Sequence, residues 1–526
     1  MNSLPPLALN RWFRALGFCL ALAPCAVHAE GLRFVQAQTE GGAIEGVVSA
    51  DGKVRTFKGI PYAAPPVGPL RWKAPQPVVA WTGVRQAVDY GPRPMQGRIY
   101  ADMVFHDQGP SEDCLYLNMW MPENSGQAKL PVMVWIFGGG FVAGSSSEPR
   151  QDAGNLCKKG VLVVSFNYRL GVFGFLAHPD LAREAGGSSG NYGLMDQVAA
   201  LKWVKRNIAA FGGDPDNITI FGESAGSFSV SALIASPQAR GLFTRAIGES
   251  GAFLSQALPM KARAEAEAQG AAFAASLGKP SLAELRATPA DALLEAALKR
   301  PIFDFWPIVD GTFMPGDCMS IYSAGSQQHV PLLAGWNRDE GSTKDFFDGL
   351  EATAANYVAK VNAKYGARAG GFLKAYPAST DAEARRAAAD AEGDAFIGFG
   401  TWKWIELQRA TGGCPTYRYE FDQTLPLAAD ATPGTEPRAP HAGEIEFVFR
   451  VLSSRNLPWR DEDRNVSELM SSYWTNFAKT GDPNGPGLPV WPRYADAGGN
   501  PVMHLSAEPL AVTDARRGRY LFLDGP

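Results

Sequence analysis

The sequence predicts an α/β fold in which helices flank a large, mostly parallel sheet. Two apolar runs, 132–137 and 161–166, are rich in β-branched residues and are typical of strands buried on both faces of a parallel sheet. Apolar residues recur at helical spacing over 197–210. A further buried strand is predicted over 217–221 and a further helix over 227–235. This alternation of strand and helix is typical of a doubly wound sheet.

The elements before and after this alternation follow from shorter patterns. Segments rich in Ala, Glu and Leu at 261–300 and 351–411 have helical spacing, and we interpret them as helical insertions that either cap a site or only buttress the sheet. The remaining predicted elements are strands at 43–48, 54–57, 115–120, 331–334 and 416–421, a proline-rich loop at 61–69 and a helix at 466–480.

The first 29 residues are predicted to be a cleaved signal peptide. Two arginines precede an apolar stretch at 15–23, and the small residues Val27 and Ala29 indicate a cleavage site after them. The apolar stretch is too short to span a bilayer. We therefore expect an exported protein, periplasmic or secreted. Residues 30–526 are predicted to form one domain, because no Gly/Ser-rich or Pro-rich linker divides them.

Composition limits the partners of this chain. Its net charge is −4 and its Lys and Arg residues form no basic stripe, which argues against a nucleic-acid partner. No later segment offers about 18 uncharged apolar residues in a row, so stable membrane insertion is not expected. The oligomeric state is left open by the sequence, and a monomer is compatible with it.

The cysteines decide little about the fold. Cys114, Cys157, Cys318 and Cys414 remain after the predicted cleavage. They allow three complete pairings, and the sequence does not choose among them. One or two disulfides are compatible with an oxidising compartment. The spacing of the four is too wide for a zinc-ribbon pattern, so neither a metal nor another cofactor is expected.

The pattern Gly-x-Ser-x-Gly, which can mark a nucleophilic serine, occurs twice. Such a serine must follow a buried strand and open a helix, and its flanking glycines leave the strained turn uncrowded. Ser224 has the predicted strand 217–221 before it and the predicted helix 227–235 after it. Ser188 follows a polar stretch without a strand, so we interpret it as part of a flexible loop. Ser224 is therefore the predicted nucleophile.

A serine at the start of a helix also predicts where negative charge is stabilised. The backbone N–H of Ala225 has no acceptor within the first helical turn, and the helix dipole favours negative charge there. Further donors are expected from a loop after an earlier strand, where glycine lets the backbone approach a substrate closely. The three glycines at 138–140 directly follow the predicted strand 132–137 and meet this requirement.

A nucleophilic serine needs a base, and elimination leaves two histidines for this role. If the chain order is serine, acid, histidine, then His441 and His504 come late enough. His504 lies in an apolar, strand-like run, whereas His441 lies in a loop bounded by Pro and Gly. Catalytic groups are commonly carried on such loops, which favours His441.

The acid is expected just past a buried strand, between the serine and the histidine. The predicted strand 331–334 is followed by Asp339 and Glu340, and spacing does not choose between them. Asp310 follows the apolar run 306–309 and competes with both. Three carboxylates therefore stay open as candidates on the residues alone.

The chain resembles the type-B carboxylesterases of the α/β-hydrolase superfamily, a family that includes cholinesterases and bacterial para-nitrobenzyl esterases. The resemblance extends over nearly all of 30–526 and rests on motifs beyond the nucleophile elbow, the Gly-x-Ser-x-Gly turn at 222–226. These motifs are FKGIPYAAPPVG at 57–68, SEDCLYLN at 111–118, NYRLG at 167–171, NYGLMDQ at 191–197 and FGGDP at 211–215. The resemblance implies an α/β-hydrolase fold with helical insertions over an active-site gorge.

By this resemblance the site of the family is carried over to particular residues. It implies Ser224 as nucleophile, His441 as general base and Glu340 as the orienting acid. The implied oxyanion donors are the backbone N–H groups of Gly139, Gly140 and Ala225. The implied function is an exported serine carboxylesterase that hydrolyses small-molecule carboxylic esters through an acyl-enzyme.

The chain departs from the family's pattern in three places. Phe137 stands where many relatives carry histidine, and we expect retained activity with a differently supported glycine loop. Cys114 matches one half of a family disulfide, but the partner position falls near Pro94, which puts that bridge in doubt. The stretch 95–112 lacks the tryptophan with which cholinesterases hold a quaternary ammonium, so choline esters are disfavoured.

The resemblance also implies two structural ion pairs, Arg71–Glu112 and Arg169–Asp196.

Substrate specificity is the least determined part of the prediction. Four aromatic residues near the motifs are candidates for an apolar acyl pocket, with ordinary core packing as the alternative: Phe141, Phe303, Phe305 and Trp306. Because a serine triad serves any acyl group, specialisation for an amide, a thioester or an aromatic plant ester is an alternative function. A non-catalytic binding protein of the same fold is another, although all three triad residues are present here.

Overall fold

The structure is a computed structural model that describes residues 33–125, 129–279, 281–432, 434–495 and 499–525. The predicted signal peptide at 1–29 lies outside these residues. Seventeen strands occur in the described part of the chain, and thirteen of them form one sheet. They are β1 (Phe34–Thr39), β2 (Gly42–Val48), β3 (Val54–Pro61), β4 (Val84–Gln86), β5 (Arg93–Pro94), β6 (Pro110–Ser111), β7 (Tyr116–Pro122), β8 (Leu130–Ile136), β9 (Leu162–Phe166), β10 (Gly213–Glu223), β11 (Arg245–Glu249), β12 (Lys261–Ala262), β13 (Ile308–Val309), β14 (Leu332–Asn337), β15 (Thr416–Phe421), β16 (Pro501–Leu505) and β17 (Leu510–Thr513).

The large sheet is parallel at its centre and antiparallel at its edges. Its order is β1-β2-β3-β7-β9-β8-β10-β11-β14-β15-β16-β17, with β4 paired to β2. The pairs from β9–β8 through β15–β16 are parallel, whereas β1 to β3, β7 and β17 pair in antiparallel fashion along this path. The carboxyl ends of β8, β10 and β14 therefore meet at one edge, where a doubly wound sheet carries its ligands.

Seventeen α-helices of the described residues connect these strands or pack on them. They are α1 (Gly154–Cys157), α2 (Gly171–Phe175), α3 (Pro179–Glu184), α4 (Tyr192–Asn207), α5 (Ala225–Ala235), α6 (Arg263–Ser276), α7 (Leu282–Ala287), α8 (Ala290–Ala297), α9 (Cys318–Ser323), α10 (Thr343–Phe347), α11 (Ala354–Tyr365), α12 (Ala369–Ala375), α13 (Asp381–Gly393), α14 (Phe399–Gly412), α15 (Ile445–Phe449), α16 (Asp461–Thr480) and α17 (Arg517–Asp524). A π-helical turn, Asp394–Gly398, joins α13 to α14. In these residues no helix is both long and apolar enough to cross a bilayer.

The predicted alternation of strand and helix is confirmed, and the bounds differ by a few residues. The predicted strand 217–221 lies within β10, which begins at Gly213 and ends at Glu223. β11 was missed, because its five residues include a charge at each end and lack a clear apolar period. The predicted helical insertions form α6 to α8 and α11 to α14, the last two interrupted by the π-helical turn.

One hydrophobic core joins the two faces of the sheet to most of the helices. Large side chains such as Trp135 and Trp404 are fully buried in it. A smaller, separate cluster forms among α10 to α13 around Tyr357 and Phe372. The insertion that contains α11 to α13 therefore has its own packing, while Phe396 in the following π-helical turn reaches the site described below.

Both implied ion pairs are present and buried. The guanidinium of Arg71 donates to both carboxylate oxygens of Glu112, at 2.6 and 2.5 Å, and that of Arg169 donates to both oxygens of Asp196, at 2.8 and 2.7 Å. The four cysteines at 114, 157, 318 and 414 carry free thiols, so no disulfide forms within the described residues. Instead of a bridge, the main chain beside Cys114 is tied by the short pairing of β5 with β6.

Candidate active site

Ser224 lies in a sharp turn between β10 and α5. Its backbone angles, φ 52° and ψ −122°, are strained for a residue with a Cβ atom, as expected of an exposed nucleophile on a strand-to-helix turn. The turn is possible because the following glycine packs directly on β8: a Cβ atom on Gly226 would lie 1.9 Å from the carbonyl oxygen of Ile136. Gly226 therefore lets the strand and the helix approach closely enough to hold the serine.

His441 reaches Ser224 from the loop between β15, which ends at Phe421, and α15, which begins at Ile445. Its other ring nitrogen faces an acid. The Oγ of Ser224 lies 3.0 Å from His441 Nε2, so the hydroxyl can donate its proton to the ring. The His441 Nδ1 atom lies 2.6 Å from Glu340 Oε2. Serine, histidine and glutamate thus form one continuous hydrogen-bonded chain.

Glu340 is oriented by groups from two strands. Its Oε1 atom accepts hydrogen bonds from the Ser250 hydroxyl at 2.6 Å and from the Asn337 backbone N–H at 2.8 Å. Asn337 ends β14, and Ser250 directly follows β11. Because both donors bind Oε1, the second carboxylate oxygen, Oε2, stays free for His441.

Asp339, the neighbouring candidate, points elsewhere and has a structural contact. Its Oδ2 atom accepts the backbone N–H of Ala439 at 2.8 Å, and its Oδ1 atom accepts from Arg386 at 2.7 Å. The backbone N–H of Asp339 in turn donates to the carbonyl of Ala439 at 3.0 Å. These bonds tie the loop of Glu340 to the loop of His441, two residues before the histidine.

Three further carboxylates are buried behind the histidine. Glu223 Oε1 lies 3.3 Å from His441 Nε2, and Glu444 accepts a 2.6 Å hydrogen bond from the side chain of Asn337. Burial raises the pKa of the Glu223, Glu444 and Glu249 carboxyl groups above its ordinary range. Burial by itself would lower the pKa of His441. The carboxylates of Glu340 and Glu223 raise this pKa by more than burial lowers it, so the net shift is upward.

The glycine loop after β8 faces Ser224 with its backbone. Gly139 has φ +107°, and a Cβ atom there would lie 2.2 Å from the carbonyl oxygen of Ala143, so only glycine fits. No hydrogen bond from the N–H of Gly139 or Gly140 to another described residue is found. Together with Ala225, both glycines line the same cavity as Ser224. Three N–H groups can therefore converge on one oxygen atom in that cavity.

Phe137, the departure from the family's histidine, supports this loop by stacking. Its ring lies on Tyr168 with a centroid distance of 4.5 Å and an interplanar angle of 21°. The Tyr168 hydroxyl also donates to the carbonyl oxygen of Phe137 at 2.8 Å. A ring contact and one hydrogen bond from Tyr168 thus fix the start of the glycine loop without a histidine at position 137.

The cavity above Ser224 has a volume of about 210 Å³ and an aromatic wall. Phe303 and Trp306 line it, with ring centroids 4.8 Å apart. Phe141 and Phe305 do not. Phe141 is fully buried beneath Trp306, and Phe305 packs against Phe273, so these two candidates are part of the core rather than of the cavity wall.

Sequence reasoning missed most of the other residues that line this cavity. They are Tyr100, Asp102, Met103, Arg150, Glu223, Phe228, Leu258, Phe396 and Ala442. Two of them had a local signal: Phe228 follows Ser224 by one helical turn, and Glu223 directly precedes it at the end of a buried strand. Tyr100 and Arg150 come from loops without periodicity, and no pattern in the sequence points to them.

The competing candidates lie in other surroundings. Asp310 accepts hydrogen bonds from the Ser188 hydroxyl at 3.0 Å and from the backbone N–H of Met314 at 2.8 Å. Ser188 lies in the loop between α3 and α4, as its polar surroundings predicted. His504 lies on β16, where its Nδ1 atom is 2.5 Å from Asp422 Oδ2.

The sheet order, the strained serine turn and the Ser–His–Glu contacts define a protein of the α/β-hydrolase class with a serine-hydrolase site. The model of the carboxylesterase family matches residues 33–522. The chain therefore belongs to the carboxylesterase family, and it is a carboxylic ester hydrolase. The predicted fold and family are both confirmed.

Similar proteins support this at the level of sequence and of structure. The fumonisin B1 esterase of Sphingopyxis macrogoltabida is 37% identical over 503 residues, which are 90% of this chain and 87% of the relative. The para-nitrobenzyl esterase of Bacillus subtilis (strain 168) is 36% identical over 485 residues, 87% of this chain and 92% of the relative. A solved PNB esterase structure superimposes with a TM-score of 0.78 at 35% identity, covering 93% of this chain and 99% of that one.

Proposed function

We propose that the protein is an exported serine carboxylesterase that hydrolyses small-molecule esters through an acyl-enzyme on Ser224. The observation that carries this proposal is the unbroken chain of hydrogen bonds from Ser224 Oγ through His441 to Glu340, at 3.0 and 2.6 Å. A serine hydroxyl is a weak nucleophile alone and needs an adjacent base that a third group orients. The contacts of these three residues meet that requirement.

The reaction proceeds in two halves. His441 Nε2 takes the proton of Ser224 as the oxygen attacks the ester carbonyl, and Glu340 orients the imidazole and stabilises its positive charge. The same histidine then delivers the proton to the leaving alcohol, and the acyl group stays on the serine. A water molecule, deprotonated by His441, releases the acid and restores the hydroxyl.

Negative charge that develops on the carbonyl oxygen is stabilised by backbone donors. The N–H groups of Gly139, Gly140 and Ala225 line the cavity beside Ser224. Each such donor contributes about 3 kcal/mol to the stabilisation of the transition state in comparable hydrolases. The turn at Ser224 and the backbone of Gly139 have φ values of 52° and 107°, which the surrounding packing holds before the substrate arrives.

The acyl group fits the aromatic part of the cavity. Phe228, Phe303 and Trp306 line it, and Leu258 adds a fourth apolar side chain. A cavity of about 210 Å³ suits a small or medium acyl chain, so we propose apolar acyl groups of this size. The stretch 95–112 contributes Tyr100, Asp102 and Met103 to this cavity. That choline esters are disfavoured stays a prediction from the sequence.

The proposal of export rests on the sequence at 1–29 alone. Two arginines, an apolar stretch and small residues at Val27 and Ala29 form the pattern of a signal peptide. Expression of the full chain in a bacterial host followed by fractionation tests it: esterase activity and a mature N-terminus near residue 30 should be recovered outside the cytoplasm. Full-length protein that stays inside would overturn it.

An active-site serine probe and an ester panel test the catalytic proposal. A fluorophosphonate should label the folded wild-type protein on the peptide that contains Ser224, and Ser224→Ala should abolish labelling and ester turnover together. The panel varies acyl length at constant alcohol and includes the matching amide and thioester. Absence of labelling in folded wild-type protein would sink the enzyme assignment to Ser224, and faster turnover of the amide would favour the alternative acyl bond.

A further inference from the structure

A second cavity adjoins the catalytic one and has a different chemical character. Its volume is about 330 Å³, and it shares Asp102 and Arg150 with the cavity above Ser224. The other polar side chains that line it are His106, Glu148, Glu446, Ser454 and Arg455. The two cavities therefore meet at the Asp102–Arg150 wall, and a substrate longer than the aromatic part of the site could extend past it.

The two arginines that line this second cavity have donor nitrogens that no described residue uses. Arg150 uses its Nε atom on Glu148 at 2.5 Å, and no hydrogen bond from the terminal nitrogens of Arg150 or Arg455 to a described residue is found. The carboxylates that accompany them lie deeper. Glu148 Oε1 and both oxygens of Glu446 are buried without a hydrogen-bond partner in the described structure. An occupant therefore meets the donors of two guanidinium groups, whereas the carboxylates of Glu148 and Glu446 are buried.

Charges of both signs line this region: the guanidinium groups of Arg150 and Arg455, and the carboxylates of Asp102, Glu148 and Glu446. Burial raises the pKa of the Glu148 and Glu446 carboxyl groups, and the charge of Arg150 opposes this shift. The one exposed acid on the shared wall is Asp102, 66% exposed and 3.7 Å from Arg150. Arg455 is 39% exposed and lies 3.7 Å from Glu446, so neither arginine is held in a close bidentate pair.

The position of His441 determines which part of a bound ester, acyl group or alcohol, lies toward the second cavity. The leaving oxygen must receive its proton from His441 Nε2, so the alcohol lies beside that atom. The Oε1 atom of Glu223 lies 3.3 Å from the same nitrogen. Glu223 and Arg150 line the same cavity, and their opposite charges interact. The acyl group lies among the aromatic side chains. The alcohol, rather than the acid, thus points toward Arg150.

We infer that the second cavity is a subsite for an anionic alcohol, in which Arg150 and Arg455 bind a carboxylate carried on the leaving group. This inference rests on the proposed function and names its substrate class: esters with an apolar acyl group and an acidic alcohol or phenol. Guanidinium groups suit such a partner because their planar donors match the two oxygens of a carboxylate.

Matched substrate pairs test this subsite on the full-length enzyme. One pair is 4-acetoxybenzoate and 4-acetoxybenzamide, and a longer pair is 3-(4-acetoxyphenyl)propionate and its amide. The wild-type enzyme should prefer the carboxylate of at least one pair by about tenfold in kcat/KM, the effect of one charged hydrogen bond. Added salt should reduce the preference, since the site is partly exposed. Equal kcat/KM within both pairs would overturn the inference.

Three variants separate binding at the subsite from general damage. Arg455→Gln is preferred to a change at Arg150, whose loss would leave Glu148 buried without its partner. Arg455→Gln should lower the carboxylate-to-amide ratio about tenfold, and Asp102→Asn should raise it by removing the one exposed repulsive charge. Arg464→Gln, on the exposed face of α16 with 59% exposure, is the matched control and should leave the ratio unchanged.

The outcome also distinguishes this inference from the proposed function. If the neutral amide esters are hydrolysed in a Ser224-dependent way without any preference for the carboxylates, the esterase stands and the subsite is refuted. If none of the four esters and no member of the simple ester panel is hydrolysed by folded protein, the proposed function itself fails. A ratio that stays the same in Arg455→Gln and Asp102→Asn would refute the role of this wall.

Discussion

The two Gly-x-Ser-x-Gly segments have the same local pattern and opposite surroundings. Ser224 lies in a strained turn between a buried strand and a helix, and its hydroxyl faces His441 at 3.0 Å. Ser188 lies in the loop between two helices, and its hydroxyl donates to the carboxylate of Asp310 at 3.0 Å. An imidazole is a stronger base than a carboxylate, and it is the usual group that takes the proton of a catalytic serine. The Gly-x-Ser-x-Gly pattern therefore does not by itself make a serine nucleophilic. The residue that faces the serine hydroxyl, His441 or Asp310, decides its chemistry.

The largest difference between the two serines should appear in turnover. Ser224→Ala should lower kcat on a para-nitrophenyl ester about 10⁵- to 10⁶-fold, because the nucleophile is lost while the oxyanion donors remain. Ser188→Ala should leave kcat within about twofold, since the Ser188 hydroxyl touches no residue of the triad. Steady-state kinetics on both variants measures this. A large loss in Ser188→Ala with normal folding would contradict the distinction.

The next largest effect concerns the two adjacent acids. Glu340→Gln should lower kcat about 10⁴-fold, because an amide no longer holds the imidazole in the tautomer that accepts the serine proton. Asp339→Asn is the matched control: it removes one charge at the next position but keeps an acceptor for the Ala439 N–H. It should lower the melting temperature and change kcat less than about tenfold. The opposite result would reassign the acid.

This pair also marks how far sequence reasoning reaches. The strand before the two acids was predicted and is β14, but neighbouring residues past its end are equivalent in any spacing argument. Only the fold separates them: Glu340 points to His441 and accepts from Ser250, whereas Asp339 points to Ala439 and to an arginine of α13. The resemblance to the family supplied what the residues alone left open.

The elbow and the glycine loop were predictable for a physical reason. Strands buried on both faces give continuous apolar runs, and the turns that follow them need glycine, so both features leave a strong local trace. The wall of the cavity leaves none. Tyr100, Asp102 and Arg150 lie in loops, and they meet Ser224 only through the packing of the whole chain. Phe141 and Phe305 were predicted to line the pocket from nearness in sequence, which says little about direction.

The oxyanion loop should be the third most sensitive element. Gly139→Ala forces a Cβ atom to within 2.2 Å of the Ala143 carbonyl at φ +107°, so the N–H donors must move away from Ser224. We expect kcat to fall about 10²- to 10³-fold, as when one oxyanion donor is lost. Gly52→Ala, at φ +69° in open space, is a matched strain control and should leave kcat unchanged. Equal kinetics of the two variants would refute the role of the loop.

A smaller and different effect is expected in the pH profile. The carboxylates of Glu340 and Glu223 raise the pKa of His441, so the acid limb of kcat/KM should lie above the ordinary imidazole value of about 6.5. Glu223→Gln removes one of these charges, which lowers the pKa of His441 and makes the base available at lower pH. The acid limb should therefore shift down by about one pH unit. An upward shift, or no shift, would contradict this coupling.

The smallest effect returns to Ser188, as a test of stability rather than of activity. Asp310 is 3% exposed and keeps the backbone N–H groups of Thr312 and Met314 as donors to Oδ1, so Ser188→Ala removes only the donor to Oδ2. The free energy of unfolding should fall by about 1 kcal/mol, the ordinary contribution of one hydrogen bond. Denaturant unfolding of the wild type and the variant measures it. Asp310→Asn should cost more, because an amide nitrogen would then face backbone or hydroxyl donors. If Ser188→Ala instead lowered the free energy of unfolding more than Asp310→Asn, Ser188 would have a structural role beyond its contact with Asp310. The loop that contains Ser188 would then contribute to stability through other contacts.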